Sequence, residues 1–145
     1  MQIEIPTQTI FYTIEKAIKG YRKFSQKNIS SSIKGITIDQ TLVLQFLDKH
    51  PELSQKEIAE LIYKDNASMT RMVNIMVKKE YIKRTINEND RRRFKLEITS
   101  KGQKVLTILP KIIASNRSNA LENVSEDEVL QLEKILNKII NNCNK

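Results

Sequence analysis

Apolar positions recur every three or four residues along most of the chain, and only once does the period drop to two. Between about Thr7 and Ser30, Ile10, Ile14, Ala17, Ile18 and Tyr21 share one helical face, with Phe11 and Phe24 beside it. Ser30-Ser31-Ser32 and Gly35 interrupt that pattern. Thr37-Ile38-Asp39-Gln40 is a capping box that opens a helix with Leu42, Val43, Phe46 and Leu47, ending near His50-Pro51. A second box, Ser54-Gln55-Lys56-Glu57, opens a short helix with Ile58, Leu61 and Ile62. Lys64-Asp65-Asn66 reads as a turn, with Asp65 or Asn66 as the cap of a helix over about Ala67 to Lys79 that buries Met69, Met72, Val73 and Met76. The period then changes. Residues 82–86 suit a short strand, Asn87 to Asp90 have turn chemistry, and residues 93–98 alternate around Phe94, Leu96 and Ile98. Helical spacing returns after Thr99 or Ser100, where Ser100 and Gln103 fit another box, and Pro110 is expected to kink that helix or reset its register. A last box, Ser125 to Glu128, opens a helix with Val129, Leu132, Ile135, Leu136, Ile139 and Ile140.

Four helices, a two-stranded hairpin and two more helices make a mainly α chain. Two short helices joined by a tight turn and followed by a hairpin are the winged helix-turn-helix arrangement. Residues 1–145 read as a single domain, with a winged-helix lobe over about 37–100 and flanking helices over about 7–34 and 101–142. Ile10, Ile14, Val129, Leu132, Ile135 and Ile139 exceed what a small winged-helix core can cover, and predict a homodimer joined through the chain's two ends. With 39% apolar residues and no Trp, the core is thin and suited to completion across such an interface.

Charge narrows the partner. The chain has 25 basic and 17 acidic residues, a formal net of +8. Residues 64–104 hold 12 of the basic and 5 of the acidic ones, so one segment carries +7 of that excess. An electrostatic footprint for a polyanion is concentrated in this way. At 100° per residue, Ala67, Thr70, Arg71, Asn74 and Lys78 lie opposite the Met face of their helix, with Asn66 and Ser68 at its start. Arg can pair with guanine, Asn with adenine, and Ser or Thr with phosphate. Asp90, Arg91, Arg92 and Arg93 sit at the expected hairpin tip, where adjacent arginines repel one another unless phosphates neutralise them. Ser54 completes the candidate DNA contacts. Ile75 and Val77 interrupt the polar face.

Several of these segments resemble the multiple-antibiotic-resistance-regulator (MarR) family. Leu53 to Glu60 is similar to its second helix, Ala67 to Val73 to its recognition helix, Asp90-Arg91-Arg92 to its wing signature, and Ile98 to Gly102 to the Leu-Thr-x-x-Gly that follows the wing. The match runs from about Thr37 to Gly102. It implies a two-fold dimer on a pseudo-palindromic operator, with recognition helices in major grooves and wings in minor grooves. Asp90 would orient the wing and Arg92 would enter the groove. It also implies a repressor released by a small aromatic effector, for which Tyr12, Tyr21 and Phe46 are candidate contacts. Family members usually have Gly where this chain has Glu80, so the recognition helix is expected to end without a left-handed cap.

Other functions find less support. One histidine, one cysteine (Cys143) and three glycines offer no metal cluster, catalytic dyad or phosphate loop, so neither an enzyme nor a cofactor is expected. Met1 to Thr9 lacks a signal-peptide pattern and no apolar run is long enough to span a membrane, which makes the cytosol the default location. Oxidant-sensing family members carry a cysteine in the first helix; none stands there, and Cys143 reads as incidental. The rival reading keeps the fold but has the winged helix bind a protein instead of DNA.

Overall fold

A computed structural model of the chain describes residues 6–145, with the side chains of Asn87, Arg91, Arg92 and Arg93 outside that description. After a short 3₁₀ turn, α1 (Ile10–Ser32) and α2 (Ile38–Lys49) lead into α3 (Gln55–Leu61) and α4 (Asn66–Lys78). The antiparallel strands β1 (Ile82–Asn87) and β2 (Asp90–Ile98) form the hairpin, and α5 (Ser100–Ala120) and α6 (Glu126–Cys143) close the chain. No helix among the described residues is long and apolar enough to cross a membrane.

Helix starts follow the capping chemistry of the sequence. Both partners of the boxes are engaged at Thr37/Gln40, Ser54/Glu57 and Ser125/Glu128. Asp65 caps α4, accepting from the Ser68 N–H at 2.7 Å. The expected Ser100/Gln103 box does not form: Thr99 is the cap, and its hydroxyl accepts from the Gly102 N–H. Two other boundaries also moved. The serine run does not stop α1, which continues through Ser32 before Gly35 turns the chain at φ +77°. Pro110 does not reset α5. Val105, Leu109 and Asn116 are buried on one face that keeps its helical period across the proline, whose missing N–H falls on the exposed side.

The core is one cluster inside the winged-helix lobe. Val43, Leu44 and Leu47 of α2, Ile58 of α3 and all of Met69, Met72, Val73 and Met76 of α4 are buried in it, with Leu96 from β2 and Leu109 from α5. Val77 packs against this cluster, which removes one of the two apolar interruptions of the polar face; Ile75 stays 45% exposed. Only the C-terminal end of α1 joins the core, through Ile29 and the following Ile33.

The end of α4 contradicts the expectation drawn from Glu80. That residue adopts φ +66°, a left-handed conformation, although it is not glycine. Its N–H donates to the Val77 carbonyl and the Tyr81 N–H to the Met76 carbonyl, the bond pair of a Schellman cap. The surroundings over-determine it. The Thr99 hydroxyl reaches the carbonyls of Glu80 and Tyr81, and the Lys101 ammonium donates to the Lys79 carbonyl while lying 4.8 Å from the Tyr81 ring centroid. Gly102 is required beside them, because a Cβ there would lie 2.4 Å from the Tyr81 carbonyl oxygen and 2.7 Å from Ile98 Cγ2.

A second joint ties α1 to the helix-turn-helix. Arg22 Nη2 lies 2.5 Å from Asp39 Oδ1, and Lys64 Nζ, in the turn before α4, lies 3.0 Å from Asp39 Oδ2. Burial pushes the Asp39 carboxyl up, but the hydrogen bonds and charges of Arg22 and Lys64 outweigh it and hold the group below its ordinary value. Gln26 adds a neutral brace, donating to the Ile36 carbonyl and accepting from the Ile38 N–H, both at 2.9 Å.

Two outcomes follow from these joints. Glu80→Gly should raise stability by about 0.5–1 kcal/mol, since the left-handed penalty of an L-residue exceeds the entropy that glycine adds to the unfolded chain; an unchanged or lower thermal midpoint would refute this. Asp39→Asn should cost about 1 kcal/mol at neutral pH, as expected for a partly exposed charged pair. A carboxyl lowered by folding stabilises above its unfolded pKa and loses that contribution as pH falls through the folded value. Urea midpoints of the two proteins should therefore stay apart from pH 8 to 5 and converge below about pH 4.

Candidate nucleic-acid interface

The outer face of α4 is built by exclusion. With four side chains committed to the core, Ala67, Thr70, Arg71, Asn74 and Lys78 are all exposed on the opposite side, as is Asn66 at the start. The N-terminus of a helix presents unpaired N–H groups and a positive dipole end, both suited to an anion.

This face is internally ordered. Ser68 donates through its hydroxyl to Asp65 Oδ2 at 3.0 Å, and Arg71 Nη2 donates to Ser68 Oγ at 3.1 Å. The Asp65 carboxyl is lowered first by the Ser68 N–H and then by the Ser68 hydroxyl. It therefore stays an anion that holds Ser68, and through it steers the guanidinium of Arg71. Thr70 donates to the Asn66 carbonyl and accepts from Gln55 Nε2 at 3.1 Å. Asn74 accepts from Arg84 of β1. Sequence reasoning missed Gln55 and Arg84. Each lies on a neighbouring element, and only the packing of α3 and β1 on α4 brings it there. Ser54 is spent on its capping box, where its oxygen accepts from the Glu57 N–H and leaves the hydroxyl proton to donate.

The hairpin is longer than the alternation predicted, and its arginines are not at the turn. Glu88 and Asn89 make the turn, and β2 begins at Asp90. Ile86 pairs with Phe94 and Asn87 with Asp90, so β2 holds residues 91–93 where β1 has none between its two paired residues. Arg91, Arg92 and Arg93 form a bulged stretch of strand beside the turn, a device that bends and twists a hairpin locally. Their side chains lie outside the described residues. Lys83 meets Glu97 across the strands at 3.6 Å, nearer the hairpin base.

A cavity of about 170 Å³ lies among α1, α2 and α5, with Ile18, Tyr21, Arg22, Ile29, Ile113 and Arg117 among its lining residues. Ser25 also lines it, with a buried hydroxyl that has no hydrogen-bond partner. Of the three aromatic residues singled out for an effector, only Tyr21 is in this wall. Tyr12 sits on the exposed N-terminal part of α1, and Phe46 packs against the core.

Against this geometry the comparisons with known proteins are consistent. The MarR family model matches residues 36–94. The HTH-type transcriptional regulator SarZ of Staphylococcus epidermidis is 25% identical over 132 residues, covering 89% of this chain and 85% of that one. Among solved structures, a mutant MarR from E. coli complexed with operator DNA superposes with a TM-score of 0.85 at 21% identity, over 94% of this chain and 99% of that one. The PcaV transcriptional regulator from Streptomyces coelicolor, in complex with its natural ligand, gives 0.83 at 18% identity, over 97% and 98%. The MarR family match falls on the helix-turn-helix and hairpin, and the structural matches extend that winged-helix fold over both flanking helices.

Proposed function

We propose that this protein is a cytosolic repressor that binds a pseudo-palindromic operator in double-stranded DNA as a homodimer. One observation carries the reading. The segment that holds nearly all of the chain's net positive charge folds into a helix with a buried Met face and an exposed polar face, followed by an arginine-bearing hairpin. Ala67, Thr70, Arg71, Asn74 and Lys78 contact the major groove, with Asn66, Ser68 and Ser54 on its phosphates. Asp90, Arg91, Arg92 and Arg93 serve the flanking minor groove, Asp90 orienting the wing and Arg92 entering it. The related structure bound to operator DNA supports this use of the fold.

The dimer is built from residues of about 7–34 and 101–142. The stripe of α1 is not covered within one subunit, with Ile10 62% exposed, and α6 has no buried residue at all, with Ile135 54% exposed. Leu132, Val129, Ile139 and Ile14 continue these faces. An amphipathic helix without a partner gains stability by packing on another copy.

The cavity takes a small aromatic acid as effector. An apolar cavity of about 150 Å³ suffices for one benzene ring. Arg22 and Arg117 supply charge for a carboxylate, and the unpartnered Ser25 hydroxyl supplies a further hydrogen bond. A carboxylate that takes Arg22 competes with Asp39, whose other oxygen holds Lys64 in the turn before α4.

Two measurements test this function. Random duplexes should be enriched by the protein into a pseudo-palindrome with half-sites about one helical turn apart, and Arg92→Ala should flatten the salt dependence of binding by about two phosphates per dimer. Benzoate in the same titration should weaken binding. No enriched sequence, with the half-exposed Ile75 then marking a protein-binding face, would sink the DNA reading; indifference to benzoate would sink the effector class only. Ile135→Glu places two carboxylates in the apolar interface and removes two buried isoleucines, so association should weaken by about 100-fold or more. Light scattering at micromolar concentration should then report monomers, and an unchanged mass would contradict the assigned interface.

A further inference from the structure

Asn74 is not a free reader of bases. Arg84, on β1, donates from Nη2 to Asn74 Oδ1 at 2.5 Å, tying the first strand of the hairpin to the outer face of α4. A guanidinium has N–H donors and no acceptor, so it fixes which way the amide points: the oxygen towards Arg84, the nitrogen away from it. The bond is charge-assisted. A cation on the oxygen draws electron density from the amide, which makes the Nδ2 hydrogens stronger donors and the oxygen a poorer acceptor.

That orientation bears on base choice. An asparagine reads adenine with both ends of its amide, the oxygen accepting from N6 while the nitrogen donates to N7. Guanine presents two acceptors, O6 and N7, along the same edge. An amide whose oxygen already serves a guanidinium, and whose nitrogen donates outward, matches the guanine edge. Asn74 taken alone, as in the sequence, points to adenine; Asn74 with Arg84 beside it does not.

We propose that Arg84 is a positioning residue that holds Asn74 as a hydrogen-bond donor and so makes guanine, not adenine, the base read at that place in each half-site. The inference rests on the DNA-binding reading above. It links the wing to the recognition helix, because a displacement of β1 would release the amide and change sequence preference as well as affinity.

A plainer role for Arg84 would be a phosphate contact, and the two make different marks. Loss of a phosphate contact weakens all sequences alike and lowers the salt slope by about one per subunit. Loss of a positioning residue changes one base. The experiment enriches random duplexes with the full-length protein and with Asn74→Ala and Arg84→Ala, and measures salt slopes on the winning site. Asn74→Ala should make one position per half-site degenerate, which marks the base that Asn74 reads. The wild type should hold guanine there. Arg84→Ala should move that position alone towards adenine, by about tenfold in the guanine-to-adenine ratio, the scale of one base contact, with an unchanged salt slope. Should Arg84→Ala not fold, as judged by its thermal transition, Arg84→Gln answers the same question, since a glutamine amide is neutral and can turn to accept. A wild type with adenine at the marked position, a ratio unmoved by the Arg84 variants, or a uniform loss with a shallower slope would each overturn the inference while leaving DNA binding intact. A wild type that enriches nothing would remove the DNA-binding reading and this inference with it.

Discussion

The close approach of Gly102 to the carbonyl of Tyr81 governs how the parts of this protein meet. At that point the recognition helix ends, the first wing strand begins, the second wing strand finishes and α5 starts. There is no room for a Cβ between them. Thr99 converts the contact into a joint, since its one hydroxyl caps α5 and also reaches the carbonyls of Glu80 and Tyr81. Lys101 adds a bond to the Lys79 carbonyl and a cation over the Tyr81 ring. With α4, the hairpin and α5 fixed to one another here, the angle between the polar face of α4 and the wing is set by backbone geometry. The left-handed conformation of Glu80 is tolerated because this joint leaves the chain no other exit from α4.

The same rigidity leaves the flanking helices dependent on something outside the lobe. Every buried methionine of α4 and the inner face of α5 belong to one core, while α6 and the front of α1 bury almost nothing. An 18-residue helix with Leu130, Leu132 and Ile135 in water is poorly placed as a monomer feature. In the proposed dimer these helices set the separation of the two recognition helices. The cavity among α1, α2 and α5 lies where the flanking helices pack against the winged-helix lobe. Arg22 lines that cavity and also holds Asp39, and Asp39 holds Lys64. A change in the cavity and a change in the helix-turn-helix thus share a charged side chain rather than a distant path.

Much was legible from residue order alone. Capping residues, apolar period and turn chemistry are local, and they located six helices, a hairpin and the exposed polar face of α4 with errors of a few residues. Charge density in residues 64–104 is a property of composition, and it marked the segment that carries the candidate interface. The errors have local reasons too. Serine is a weak helix former, not a helix stop, so α1 ran through Ser32. The Asn87–Asp90 pair closes the hairpin on the turn side of the arginines, so β2 took in, as a bulge, residues that turn chemistry had assigned to the tip.

Tertiary structure decided what depends on contacts between distant segments. Glu80 takes the left-handed cap because Thr99 and Lys101 bind the carbonyls around it, and neither is near it in sequence. Asn74 faces outward by helical period, but the direction of its amide is set by Arg84 on another element. Tyr12, Tyr21 and Phe46 look alike as aromatic side chains on helices, yet only Tyr21 reaches the cavity, since helix packing alone determines which walls enclose a space. The sequence by itself determined the elements, the polar face and the place of the charge, because those follow from period and composition. The fold alone determined which polar groups are held, and by what, because hydrogen-bond partners are chosen by proximity in space.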